Sequence, residues 1–264
     1  MRRSPALLAL LLLGADRDVT FSSAASAPAA LTGRCVALVI GNSAYGGEAQ
    51  IPQAAKDARL MGDALSGIGC EVLPAYDLDK KGMDDQIGAF LKRVRGQGKE
   101  GTASVAFFYY AGHGIMSEAE VNYMIPLNPN LSAPADLIER NVPSFDNVIA
   151  DLEGAGAPMN VALFDACRSN VWEKRIFGAT RGGTPTLAPP KVKEPPSKIS
   201  FLIGFSTTPG QPARDDGVYA RQPSTWLSTP NLRIESVLKR TRQDVQDKSG
   251  QAPYLEDHAR DDTA

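Results

Sequence analysis

Histidine and cysteine are scarce in this chain of 264 residues, two of the first and three of the second. With two imidazoles and no CxxC spacing, a zinc site is not expected, and no metal ligand is assigned. Net charge is also nearly absent, −2 at neutral pH, so there is no electrostatic reason to expect nucleic acid or an anionic membrane as a partner. No apolar run in the mature part of the chain is long enough to span a bilayer. A GxGxxG or Walker-type phosphate loop is missing too, which leaves a nucleotide- or flavin-binding domain without its usual signature. What remains is ordinary for a globular protein: 43% apolar and 22% charged residues, enough for one large α/β domain or two small ones.

The N-terminus stands apart. Arg2 and Arg3 precede a leucine-rich run over 6–13, and small residues follow over 22–27. This is the layout of a short secretory signal peptide with a cut after Ala25; the alternative is an uncleaved, disordered leader over 1–27. Export to the periplasm or medium follows from the first reading, a cytoplasmic protein from the second.

From residue 34 apolar runs alternate with amphipathic ones. RCVALVIGN (34–42) reads as a buried strand, and the loop over 43–52 carries Tyr45, Gly46 and Gly47. Helical spacing over 54–67 gives a first helix. CEVLPAYDL (70–78) is a second strand, placed at a sheet edge by Pro74, which cannot donate to a ladder. A second amphipathic helix spans 80–97, and SVAFFYYAGH (104–113) is the third strand. VNYMIPL (121–127) looks like half of a hairpin. A helix over 144–153 starts at Ser144 as N-cap, and NVALFDA (160–166) is strand four. A Gly- and Pro-rich loop over 168–197 follows, long enough to be functional or disordered. ISFLIGF (199–205) is strand five, and a last helix covers 232–247. The segment from Gln251 shows no strong strand signal, so 251–264 reads as a polar tail after a domain over 32–250. Alternation of this kind predicts a mostly parallel central sheet with right-handed crossovers and helices on both faces.

Two strand ends carry the chemistry. Strand three delivers His113 and then Gly114; strand four delivers Asp165 and then Cys167. As neighbouring parallel strands they would hold a thiol and an imidazole at the carboxyl edge, where open α/β sheets place their sites. A Cys–His hydrolase needs a thiolate, an imidazole to take and return the proton, and donors for the oxyanion. Cys167 and His113 supply the first two, and the backbone N–H groups of Gly114 and Cys167 are candidates for the third. Ala111, Gly112 and Gly114 add no bulk around His113, which predicts room for a substrate across the imidazole. The plainer alternatives are a buried strand-end thiol and a core histidine bonded to backbone. His258 lies in the polar segment and reads as a solvated bystander.

YYAGHG and DACRS, with their His and Cys 54 residues apart, resemble the two motifs of the caspase-like cysteine peptidases of clan CD, peptidase family C14, and of bacterial metacaspase-like members (orthocaspases) in particular. Asp165 and Ser169 stand where the caspase signature has Gln and Gly. VALVIGNSAY followed by AAKDA is similar to this family's first strand and helix, and the likeness runs over about residues 34–210. It implies a three-layer α/β/α caspase-like sandwich and hydrolysis of peptide bonds, with Cys167 as nucleophile and His113 as base and acid. It also implies an acidic S1 pocket for Arg or Lys, with Asp165 as its floor and Asp57 as second acid; a guanidinium can bind such a pair bidentately. The basic residues after Cys167 (Lys174, Arg175, Arg181, Lys191, Lys193) would then be sites of self-cleavage. Many metacaspases need calcium, although no calcium-loop motif is present here. The expected partner is a protein or peptide substrate, and the sequence fixes no oligomeric state.

Two departures lie near the expected substrate wall. RQPSTWLSTPNL is compressed relative to the family, and the chain ends soon after QAPYLED, where relatives commonly add a last strand. These keep open a second function class, a catalytically impaired caspase-like module that binds partners without cutting. Cys35 and Cys70 open the first two strands at the edge opposite the site. They are two free apolar thiols or, in an exported chain, a disulfide, which a Cα separation beyond about 7 Å would exclude.

Overall fold

Continuous apolar runs become the central strands, and amphipathic runs become the helices that cover them. The computed structural model describes residues 20–21, 33–96, 101–116, 121–129, 141–167, 199–208, 214, 216–230 and 232–258. The leader apart from 20–21, the long loop over 168–197 with its basic residues, and the last six residues lie outside the described residues. Thr20–Phe21 (β1) pairs antiparallel with Leu232–Arg233 (β8). The main sheet is built from Cys35–Gly41 (β2), Glu71–Tyr76 (β3), Val105–Met116 (β4), Asn122–Met124 (β5), Met159–Cys167 (β6), Ser200–Phe205 (β7) and Tyr254–Asp257 (β9). Its order is β3-β2-β4-β6-β7-β9, with β5 paired to the end of β4. The first five strands of that order are parallel, and β9 and β5 run antiparallel to their neighbours.

The helices are Ala54–Gly67 (α1), Lys80–Arg95 (α2), Phe145–Ala155 (α3), Val218–Leu227 (α4) and Ile234–Ser249 (α5). One core packs α1, α4 and α5 on the sheet through Met61, Leu65, Leu227, Val237 and the odd-numbered residues of β4. The other packs α2 and α3 through Phe90, Phe145, Leu152 and the even-numbered residues. The result is the three-layer α/β/α sandwich with a mostly parallel sheet that the alternation implies. Local signals hold as well. Ser144 caps α3, its Oγ accepting from the Asn147 N–H at 3.2 Å, and Pro74 sits in β3, the outermost parallel strand. The 121–127 excursion makes β5, half of a hairpin with β4.

Two segments carry elements the sequence did not assign. The stretch read as compressed relative to the family overlaps a ten-residue helix, α4, with Pro223 buried inside it. A proline there forgoes one helical hydrogen bond at a cost of about 3 kcal/mol, offset by burying Tyr219, Ala220 and Leu227 against α1 and the sheet. The segment expected to be a tail without a strand contains β9, where Tyr254 pairs with Phe205 and Leu255 with Gly204. Its polar character fits an edge position, since only one side of the strand needs a partner.

The strand order also positions the site. From β2 the chain moves outward to β3, then returns to place β4 on the other side of β2. That reversal is a switch point, the place where open α/β sheets form a crevice beyond their carboxyl ends. At the opposite edge a Cys35–Cys70 disulfide, with Cα atoms 4.6 Å apart, joins the starts of β2 and β3. Of the two alternatives for these thiols, the structure has the paired one.

Candidate active site

The β4–β6 ladder runs in parallel register from Val105↔Met159 to its last pair, His113↔Cys167. Residues 54 apart in sequence are thereby backbone neighbours across one strand spacing, about 4.8 Å. The Cys167 backbone is described and its thiol is not. Gly114 lies one residue beyond this pair and stands opposite Met124 of β5.

His113 is buried, with 3% of its surface exposed. Its Nε2 lies 2.6 Å from the Ala49 carbonyl oxygen. A carbonyl can only accept, so Nε2 carries the proton and the neutral ring keeps its lone pair on Nδ1. Ala49 ends a short 3-10 turn over Gly47–Ala49 in the loop that leaves β2. The Tyr45 ring, from the same loop, packs on the imidazole with centroids 4.5 Å apart.

The expectation that glycines leave a substrate room beside His113 is corrected here. A Cβ on Gly112 would come within 2.5 Å of the Tyr110 Oη and 2.9 Å of the Tyr45 Oη. One on Gly114 would meet the Phe164 ring at 2.9 Å and the Ala166 Cβ at 3.0 Å. The absent side chains make way for protein, on the sheet face that carries the aromatic core.

Asp165 and Asp57 are drawn into one cluster. Asp165 is half-buried, and its Oδ2 accepts from the Tyr109 hydroxyl at 3.0 Å. Tyr109 is wholly enclosed; burial first, then the charges of Asp165 and Asp57, pushes its phenol well up. Both carboxylates are therefore within electrostatic reach of one hydroxyl, which stays protonated and donating. Asp57 lies in the first turn of α1, buried, and its Oδ1 accepts from Gln53 Nε2 at 2.7 Å. α1 can approach because β2 ends in Gly41, where a Cβ would fall 2.6 Å from that of Ala58. Gly217, which starts α4 at φ 66°, leaves the space that the Asp57 carboxylate and Gln53 amide fill. Tyr219 of α4 adds a second phenol, raised by burial and then by Asp165.

Tyr109, Tyr219, Gln53, Tyr45 and the Ala49 carbonyl were not candidates from sequence. Strand parity could have found Tyr109, which shares its face with His113 and Asp165. Nothing local marks Tyr219, because Pro223 hides its helix, and a backbone carbonyl has no sequence signal.

Known proteins give the same picture. None of the curated proteins matches the chain by sequence. Among solved structures, the Drosophila initiator caspase Dronc superposes with a TM-score of 0.55 at 14% identity, over 84% of this chain and 78% of that one. A protein from Geobacter sulfurreducens superposes with a TM-score of 0.56 at 15% identity, over 87% of this chain and 95% of the other. Such identities speak for the fold alone, and the fold is the one built above. A family model of the caspase domain matches residues 34–264, from the start of β2 through β9. The chain belongs to the caspase-domain family of cysteine peptidases.

Proposed function

We propose that the protein is a metacaspase-like cysteine endopeptidase that cleaves after Arg or Lys. Cys167 is the nucleophile and His113 its base and acid. The observation that carries this is the His113↔Cys167 register together with the His113 Nε2–H committed to the Ala49 carbonyl. With Nε2–H donating to that carbonyl, the basic lone pair of the neutral ring is on Nδ1, the nitrogen that can take a thiol proton. In the reaction, Nδ1 takes the Cys167 proton and the thiolate adds to the scissile carbonyl. The oxyanion draws on the N–H groups of Gly114 and Cys167. The tetrahedral adduct collapses as Nδ1 returns the proton to the departing amine. Water, deprotonated by the same nitrogen, then frees the acid and restores the thiol.

The preference for a basic residue rests on the Asp165–Asp57 cluster. Two carboxylates that both act on the Tyr109 hydroxyl, Asp57 buried and Asp165 half-buried, lower their energy by binding a cation, and the Tyr109 donor keeps Asp165 in place. Self-cleavage in the basic loop after Cys167 belongs to the same proposal. So does export, supported by the Cys35–Cys70 bond, since disulfides persist in oxidising compartments. A cut after Ala25 would release β1 and its short pairing with β8 and leave the main sheet whole.

One observation favours a second reading, a caspase-like module without turnover: the imidazole is 3% exposed. Fluorogenic peptides with Arg or Asp at P1, given with and without calcium to wild type and Cys167→Ala, separate the two. The peptidase turns over the Arg peptide and loses it in the variant. Absence of turnover on either peptide favours the binding module.

A further inference from the structure

The cradle beneath His113 contains two tyrosines that no motif singles out. Tyr45 comes from the loop after β2, and Tyr110 from β4 itself; both are buried. The His113 N–H donates to the Tyr45 Oη at 3.2 Å, and the Tyr45 hydroxyl donates to the Ile125 carbonyl at 2.7 Å. Beside it, the Tyr110 hydroxyl donates to the His113 carbonyl at 2.8 Å, with the Ile125 carbonyl 3.1 Å away. The two hydroxyls are 3.3 Å apart. Ile125 closes the ring by donating its N–H to the His113 carbonyl at 2.9 Å. Burial pushes the Tyr45 phenol up to about 12, so it remains a donor at any physiological pH.

We propose that Tyr45 and Tyr110 are positioning residues whose neighbouring hydroxyls clamp the main chain of His113, one taking its N–H and the other its carbonyl, and so aim its imidazole. The proposal rests on His113 being the base. It accounts for three features together. Gly112 has no side chain because a Cβ there would strike both hydroxyls. The 43–52 loop holds His113 twice, its main chain through Tyr45 and its ring through Ala49. The β4–β5 hairpin is tied to the clamp through Ile125, so a shift of that hairpin would be felt at the base.

The test is Tyr45→Phe, which keeps the ring on the imidazole and deletes one oxygen. We expect kcat on an Arg peptide to fall about 10- to 100-fold with KM little changed, the cost of a misaimed group. We also expect the His113 amide to exchange with D2O at least about tenfold faster, since its hydrogen-bond acceptor is gone. Tyr110→Phe should lower kcat in the same sense without changing KM. A lower Tm with unchanged kcat and unchanged His113 exchange would overturn the clamp and leave the tyrosines merely structural. Exchange needs no turnover, so an inert wild type sinks the peptidase reading while the clamp is still judged by amide protection. If Tyr45→Phe does not fold, wild type decides: an unprotected His113 amide contradicts the clamp, and protection matching the core of β4 supports it.

Discussion

The two faces of the central sheet are built on opposite plans. The face under α2 and α3 is a stack of rings: Phe145 lies 4.6 Å from Phe164, 5.7 Å from Phe205 and 6.0 Å from Phe108 by ring centroids. All four are buried. The face under α1, α4 and α5 is apolar over its first strand residues. Towards the carboxyl edge it turns polar, with Tyr109, Asp165, Asp57 and Tyr219, and with His113 at its end. The same strands feed both: in β2, β4 and β6 the even-numbered residues join the ring face and the odd-numbered ones the other, and in β7 the parity is reversed, so that Phe205 joins the rings. One face thus holds the strands in register by packing, and the other uses that register to place titratable groups. Chemistry needs buried polar groups that cost stability unless each is hydrogen-bonded, and the aromatic face offsets that cost.

This division can be broken from either side. His113→Ala should lower hydrolysis about 10³-fold or more and shift Tm less than a large core truncation does; steady-state kinetics and thermal unfolding on one sample check both. Phe145→Ala should do the reverse. Removing the centre of the ring stack costs about 3–5 kcal/mol, a Tm drop on the order of 10 °C, with activity per folded molecule retained. Replacing both Cys35 and Cys70 by Ala should cost roughly 3–4 kcal/mol, the loop-closure value for residues 35 apart. Denaturant unfolding measures it, and kcat should hold because the bond lies at the far edge from His113. Asp165→Asn is the smallest expected change. It should lower kcat/KM for an Arg peptide about 10- to 100-fold, the loss of a charged hydrogen bond worth about 1.5–3 kcal/mol. Activity on a peptide with a neutral P1 residue should stay as it was. An equal loss on both peptides would move Asp165 from selectivity to structure.

Much of the architecture was legible because period decides it. Residues 54–67 carry helical spacing and form α1 over those residues; Pro74 marks an edge strand; His113 and Cys167 form the last pair of two neighbouring parallel strands, although β4 runs on to Met116. Where the sequence misled, tertiary packing had overruled a local rule. Pro223 argues against a helix, yet α4 forms because its buried face is worth more than one hydrogen bond. YLED has no strand pattern, yet it needs only β7 as a partner to become β9. The glycines around His113 suggested open space, and only coordinates reveal that Tyr45, Tyr110 and Phe164 fill it. Parity assigns a residue to a face; it does not say what arrives from the other layer. Tyr219 and the Ala49 carbonyl, each brought in by a segment distant in sequence, are for that reason the parts of the site a sequence cannot show.

Of the three cysteines, two are joined in a disulfide, so the unreduced protein offers Cys167 as its one thiol outside that bond. Intact-mass measurement after treatment with a peptide acyloxymethyl ketone bearing Arg at P1 therefore reads the central claim directly. A thiolate paired with the His113 imidazole and facing an acidic pocket predicts one adduct, on Cys167, formed faster than with the Asp analogue and strongly slowed by His113→Ala. Labelling at equal rates with both reagents, and unchanged by loss of His113, would contradict it.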